Sequence, residues 1–372
     1  MKILFFGDVC PTEDYRKLFD DKSGKSLFNN TIELIKKSDF TVCNFECPAT
    51  ESNNPIKKCG PTLKAKPEDL EMLKNVGITA VSLANNHTLD LGEKGFTDTV
   101  SACDEKGVKY FGTILNGEET DRLVLEKDGE RVTVFSFAEE EFNYSKKVKT
   151  GAIHFDPYES LDKIAEAKKA GKVVVLYHGG IEYLRTPTPL LQKKCRKMVE
   201  KGADLVLCQH SHIIGTTEEY QGGFILYGQG NSVFGVRENS STWNEGLAVT
   251  FDTENGVYME LMKATKSGIE RATETETKDK LKNIKELSDK MTDDFIDSEW
   301  QKFCKGKQAN YYPMVFGKGR IYNKLNRMLK NRLADKFIGK KKKMTTMNLI
   351  RCDAHREVVT TLLENDYDKY QK

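Results

Sequence analysis

No stretch of the 372-residue sequence runs to the ~18 consecutive apolar residues that a membrane-spanning helix needs. The formal net charge is only +2, so no overall field points to nucleic acid. Nine cysteines are scattered, odd in number and without the paired spacing of a metal finger, and a reduced cytoplasmic chain with a few buried thiols is expected. The opening apolar run, Ile3-Leu-Phe-Phe6, is too short for a signal peptide and meets Gly7-Asp8 at once, so the chain is expected to begin in a core strand. What is present is 38% hydrophobic residues with 19 Phe and 14 Tyr, enough for a packed globular protein rather than a disordered one. The length suggests two units.

Strand-like and helix-like segments alternate. Lys2–Phe6, Thr41–Phe45, Ile78–Leu83, Val108–Phe111, Val132–Phe137, Val173–Tyr177, Leu205–Cys208, Phe224–Tyr227 and Leu247–Phe251 read as strands. Leu27–Lys37, Pro67–Val76, Gly95–Lys106, Leu161–Ala170 and Pro189–Lys201 read as helices between them. Such alternation predicts an α/β architecture with partly parallel sheets. Leu123–Leu125 and Val132–Phe137, joined through Asp128-Gly129, read as a hairpin. After about residue 265 charged helix formers take over, and a boundary is expected there: a catalytic domain over 1–265, then a helical, partly basic region over 266–372.

Polar residues stand where the strands stop. Asp8 follows the first apolar run and Glu46 the second; Asn85-Asn86-His87 follow the third; His178 and His210-Ser-His212 close two later ones. In open α/β sheets the carboxyl ends of parallel strands are where ligands bind. Asn-Asn alone is ordinary turn chemistry, and a single histidine at a strand end is more often structural. Five such ends converging are harder to obtain by chance. Carboxylate, carboxamide and neutral imidazole together suit one or two divalent ions such as Mn, Fe or Zn. Glu46 is the natural bridging carboxylate, and a pair of ions would bring the pKa of bound water toward neutrality.

"FFGDV", "NFE", "LANNH", "YHGGIEY" and "HSH", in this order, resemble the CapA family of bacterial capsule-synthesis proteins over roughly residues 1–250. The resemblance implies a four-layer, metallophosphoesterase-like sandwich of mixed β-sheets flanked by helices, with the helical C-terminal extension outside it. It implies metal-ligand roles for Asp8, Glu46, Asn86, His178, His210 and His212, and an acid or charge-stabilising role for His87 beside the scissile bond. The sequence departs from the broader metallophosphoesterase pattern at Cys10, where that pattern has histidine; a thiolate can ligate, or one ion has one ligand fewer. Glu182 and Tyr183 match the family's "EY" element, as substrate contacts or as orienters of His178; Glu182 also fits as a helix cap. Asn44 and Asn85 are further candidates for hydrogen bonding into the site. The glycine-rich stretch 227–235 reads as a plain turn, and Cys43, Cys47 and Cys59 as ordinary thiols.

The implied activity is a metal-dependent hydrolase or transferase of the CapA type, acting on a capsule or cell-surface polymer (polysaccharide or poly-γ-glutamate) or its precursor. The bond is open between phosphoester, γ-glutamyl amide and ester. The alternatives are a phosphoesterase of small metabolites and a non-enzymatic scaffold of a polysaccharide-assembly complex. Residues 320–343 hold ten Lys or Arg against one acid, Asp335, with Ile321, Leu325, Met328, Leu329 and Phe337 near one helical face. They read either as a helix packed on the catalytic domain or as a peripheral anchor on the anionic inner face of the membrane. Nucleic acid is not an expected partner.

Overall fold

The computed structural model describes residues 1–316, 320–329 and 339–371. Two sheets carry the larger unit, Met1–Ile296. In the first, Lys2–Val9, Phe40–Phe45, Ala80–Ser82 and Lys109–Phe111 lie side by side in parallel. On the other side of Lys2–Val9 the strands Glu245–Asp252, Gly256–Thr265 and Gly268–Arg271 continue the sheet antiparallel. The short strand Asn231–Val233 pairs in parallel with the end of Lys2–Val9. The second sheet has Glu130–Ala138, Lys172–His178, Leu205–Gln209 and Gly223–Leu226 in parallel, edged by antiparallel Arg122–Lys127 and Thr217–Tyr220. A four-stranded sheet of short strands lies over residues 113–152.

The period of two along each strand builds the layers. Ile3, Phe5, Val42 and Ala80 turn one way and meet Val132, Val134, Val174, Leu176, Leu205 and Leu207 of the second sheet. Leu4, Phe6, Cys43 and Val81 turn the other way, onto Leu70, Leu73, Phe96 and Val100 of the helices Asp69–Val76 and Gly92–Lys106. Phe135, Phe137, Val173, Val175 and Val206 do the same against Glu159–Lys168 and Pro189–Glu200. The order is helix, sheet, sheet, helix: the expected four-layer sandwich of mixed β-sheets flanked by helices. Strands buried on both faces explain why they read as continuous apolar runs.

The hairpin turns at Asp128 and Gly129, both at positive φ, as Asp-Gly turns do. The segment Leu27–Lys37 is not one helix. Lys25–Phe28 and Ile32–Lys37 are separated by a single 3₁₀ turn, because Asn29 swings to φ 41 and its amide donates to the Ser267 carbonyl at 2.9 Å. The change of composition near 265 lies inside this unit. The strands that follow complete the first sheet's edge, and Glu274–Ser288, capped by Thr273 and Glu276, buries Ile284.

Asp297–Lys372 forms the second unit, mostly helical among its described residues. The helix expected over 320–343 is not continuous. Arg320–Met328 is helical, residues 330–338 lie outside the described set, and the four lysines open a separate helix, Lys340–Arg351, after the extended Gly339. Ile321, Leu325, Met328 and Leu329 are exposed. Among the described residues no helix is long and apolar enough to cross a membrane.

Candidate metal centre

Asp8 is the next-to-last residue of its strand, and Glu46 directly follows Phe40–Phe45. Asn85–His87 lie just past Ala80–Ser82, His178 is the last residue of its strand, and His210 follows Leu205–Gln209. Parallel strands from both sheets thus deliver these groups to a common carboxyl edge. Glu46, His178 and His210 present donor atoms within 4.8 Å of one another, and so do Asp8, Glu46 and His212. Glu46 belongs to both groups. His178 Nε2 lies 3.7 Å from Glu46 Oε1 and donates to Asn86 Oδ1 at 3.0 Å. His210 and His212 both adopt left-handed backbone, φ 80 and 55, which a histidine accepts only at a cost.

Desolvation governs the electrostatics. Burial pushes the Glu46 carboxyl well above its ordinary range, and the neighbouring Asp8 charge adds to it. Burial pushes Asp8 up to about 6, against the hydrogen bond from Asn44 that favours its charged form. Burial likewise holds His178 well below its usual value and His212 down at about 3. Both Glu46 oxygens and His210 Nδ1 are buried with no hydrogen-bond partner. Two buried carboxylates among neutral imidazoles, with such orphaned atoms, fit a divalent cation.

Carboxamides from neighbouring elements orient the donors. Asn44 Nδ2 donates to Asp8 Oδ1 at 2.8 Å and contacts His178 Nδ1 at 3.2 Å. Asn85 Nδ2 donates to Asn44 Oδ1 and to the Phe45 carbonyl, and its oxygen accepts from the His87 backbone. Asn85 and Asn44 therefore brace the site. Asn231, from the glycine-rich stretch read as a plain turn, accepts from His212 Nδ1 at 3.0 Å and leaves Nε2 free to ligate. Gln229 in the same stretch donates to the Phe5 carbonyl.

His87 points its Nε2 toward Glu46, 3.9 Å away, while its Nδ1 meets Asp90 at 2.6 Å. Asp90 is held in turn by the Leu63 N–H at 2.7 Å and by the Lys58 ammonium, which also lies 3.2 Å from His87 Nδ1. Asp90 and Lys58 are missing from the sequence reading. Asp90, three residues after His87 in "HTLD", was there to be found; Lys58 sits in a long loop with no pattern to place it. Asn143 is also new: it donates to the Asn85 and Glu139 carbonyls and ties the segment after Glu130–Ala138 to the Asn-Asn-His turn.

Glu182 is exposed, and its charge adds to the upward push on Glu46. It does not cap the next helix; Thr188 does, accepting from the Leu191 N–H at 3.1 Å. Tyr183 stands beside His212, with ring centroids 6.3 Å apart. Cys10 is buried and belongs to neither donor group. Cys43 is also buried, whereas Cys59 is exposed.

Residues 2–236 match the model of a family described as bacterial capsule synthesis protein PGA_cap. The capsule biosynthesis protein CapA of Bacillus anthracis is 30% identical over 245 residues, 63% of this chain and 60% of that protein. The PGA biosynthesis protein CapA of Bacillus subtilis (strain 168) is 28% identical over 237 residues, 62% of each. The chain thus spans about three fifths of the length of the curated relatives it matches. Among solved structures, a putative 5′-nucleotidase from Staphylococcus aureus shares 16% identity at TM-score 0.44, covering 77% of this chain and 58% of that one. A phosphatase from Mycoplasma pneumoniae shares 15% at TM-score 0.45, covering 70% and 92%.

Proposed function

The chain belongs to the PGA_cap family of bacterial capsule synthesis proteins, and from that premise we propose that it is a divalent-metal-dependent hydrolase or transferase acting on a surface polymer or its precursor. The observation that carries this is the buried donor set with Glu46 shared between two groups and both its oxygens unpartnered. Asp8, Glu46, Asn86, His178, His210 and His212 would hold one or two ions, of Mn, Fe or Zn type. Bound there, an ion supplies Lewis acidity and lowers the pKa of a water beside the scissile bond.

The chain's own residues do the rest. Asn44, Asn85 and Asn231 fix the ligands' orientation and tautomers. His87, its Nδ1–H held by Asp90, turns Nε2 toward the donor cluster and in its imidazolium form would give the Nε2 proton to the leaving oxygen or nitrogen. Glu182, exposed and close enough for Glu46 to feel its charge, contacts substrate at the rim. Elemental analysis of the purified chain, then assay of phosphoesters, esters and γ-glutamyl oligomers with Mn²⁺ added, tests the reading. Stoichiometric metal and turnover of one substrate class are expected, and a metal-free chain inert toward all three would overturn it.

The exposed Ile321, Leu325, Met328 and Leu329, set among basic residues, support a second reading: a peripheral anchor of a cytoplasmic protein on the membrane's anionic inner face. Vesicles containing phosphatidylglycerol should bind the chain at low salt and release it at high salt, each near-surface Lys or Arg being worth ~1 kcal/mol. Full binding after deletion of 320–343 would refute it.

A further inference from the structure

Next to His212 lies a group of side chains that the proposed chemistry does not use. Tyr183 has φ 63, a backbone conformation that costs free energy for a bulky aromatic residue, and the residue is 44% exposed, so burial does little to offset that cost. Its N–H donates at 2.9 Å to the carbonyl of Ser211, the residue between the two histidines of the His-Ser-His turn. The tyrosine ring is thereby tied to the turn that carries two of the donors.

Trp243 is buried, 4.9 Å between ring centroids from His212 and 6.3 Å from Tyr183, and its Nε1 has no hydrogen-bond partner. Over its face lies Arg237, the guanidinium carbon 3.2 Å from the ring centroid and Nη1 donating to Tyr183 Oη at 3.2 Å. Asn244 clasps the loop between them. Its oxygen accepts from the Arg237 N–H at 2.9 Å, and its Nδ2 donates to the Arg237 carbonyl at 2.8 Å. The arginine is therefore oriented before any ligand arrives. It is exposed and has no carboxylate partner among the described residues.

We infer that Arg237, Tyr183 and Trp243 form a subsite for the carboxylate groups of an acidic polymer, adjoining the donor cluster; this rests on the polymer-processing reading above. A planar guanidinium stacked on one face still presents its edge, and that edge matches a carboxylate with two parallel N–H···O bonds. The position also answers an electrostatic need. A fixed cation without a carboxylate partner among the described residues, stacked on the ring that lies 4.9 Å from His212, draws a polyanion toward the donor cluster. Two polymer classes supply such carboxylates, γ-linked glutamate chains and uronic-acid polysaccharides.

The test is calorimetric binding to the full chain at low salt, using tri-γ-glutamate, its methyl ester and trigalacturonate as probes. Arg237→Ala should weaken at least one acid probe by about tenfold or more and leave the ester unchanged, while Arg237→Lys, a point charge without the fork, should recover only part. Whichever acid responds identifies the polymer class. The subsite is refuted if Arg237→Ala binds both acids as tightly as the wild type, or loses the ester equally. It is refuted too if Arg237→Lys, with unaltered circular dichroism, binds as the wild type does. Metal content measured on the same samples separates the two readings: arginine-dependent binding by a chain that takes up no metal sinks the metal chemistry and leaves the subsite standing.

Discussion

Replacing Glu46 by glutamine should stabilise the metal-free chain and remove most of the stabilisation that metal brings. Without metal, Glu46 is fully buried, its two oxygens lack partners, and Asp8 stands beside it. An uncharged amide relieves that desolvation and offers Asp8 a donor, a gain of about 1–3 kcal/mol on the scale of an unsatisfied buried group. For a unit of this size each kcal/mol moves the midpoint by about 2 °C, so the chelated variant should melt about 2–6 °C above the wild type. Metal moves the difference by ~2.3 kcal/mol toward the wild type, which cancels most or all of that gain. An ion present at about 100 times its dissociation constant stabilises the wild type by ~2.7 kcal/mol. Loss of a ligand common to both donor groups weakens affinity by ~100-fold or more, which leaves the variant ~0.4 kcal/mol of that benefit. Thermal unfolding of both proteins in chelator and in Mn²⁺ gives four midpoints. Equal metal-induced shifts would remove Glu46 from the ligand set, and a chelated variant less stable than the wild type would show that the carboxylate is satisfied after all.

His87→Ala should keep its metal and lose turnover by ~10²-fold or more, whereas His210→Ala should lose the metal itself; elemental analysis beside a kinetic assay separates them, and equal metal loss would make His87 a ligand. Asn231→Ala, freeing His212 Nδ1, should lower metal affinity by ~10–100-fold in a competitive chelator titration with the fold retained; unchanged affinity would show that Asn231 does not orient His212. Metal affinity should decay as pH falls through about 6, where Asp8 takes up its proton, with protons released on binding at pH 5–6; calorimetry in two buffers of different ionisation heat measures this, and a flat profile refutes it. The metal-free fold feels opposite effects over that range. Protonation of Asp8, raised in the native state, stabilises it as pH falls from 6 toward 3.8, while His212, held near 3, withholds a proton that the unfolded chain takes up below 6.5.

The donors were legible in the sequence because strands buried on both faces leave a sharp contrast where they stop, so Asp8, Glu46, His178 and the 210–212 pair stand out. Their supporting residues were not. Lys58 reaches Asp90 from a loop without periodicity, Asn143 arrives from an irregular connection, and Asn231 hides among glycines that suggest only a turn. The same limit misled the reading at Leu27–Lys37, where apolar spacing favours a helix and a contact with Ser267 breaks it. Local pattern reports which face is buried; it carries nothing about a partner more than 200 positions away.

The middle of the first sheet sets a timetable. Lys2–Val9 is made first, yet one of its long neighbours is Glu245–Asp252, with Ile3 opposite Phe251, and Asp8 accepts from the His210 N–H across 202 positions. At ~5–20 residues per second, a ribosome needs roughly 10–50 s to supply that neighbour. Throughout that interval Ile3-Leu-Phe-Phe6 has only Phe40–Phe45 beside it and an open edge on its other side, which invites pairing with another nascent chain. High contact order of this kind slows folding and favours assistance by a chaperone that shields strand edges. The donor cluster, drawn from both ends of that span, is among the last parts of the unit to come into existence.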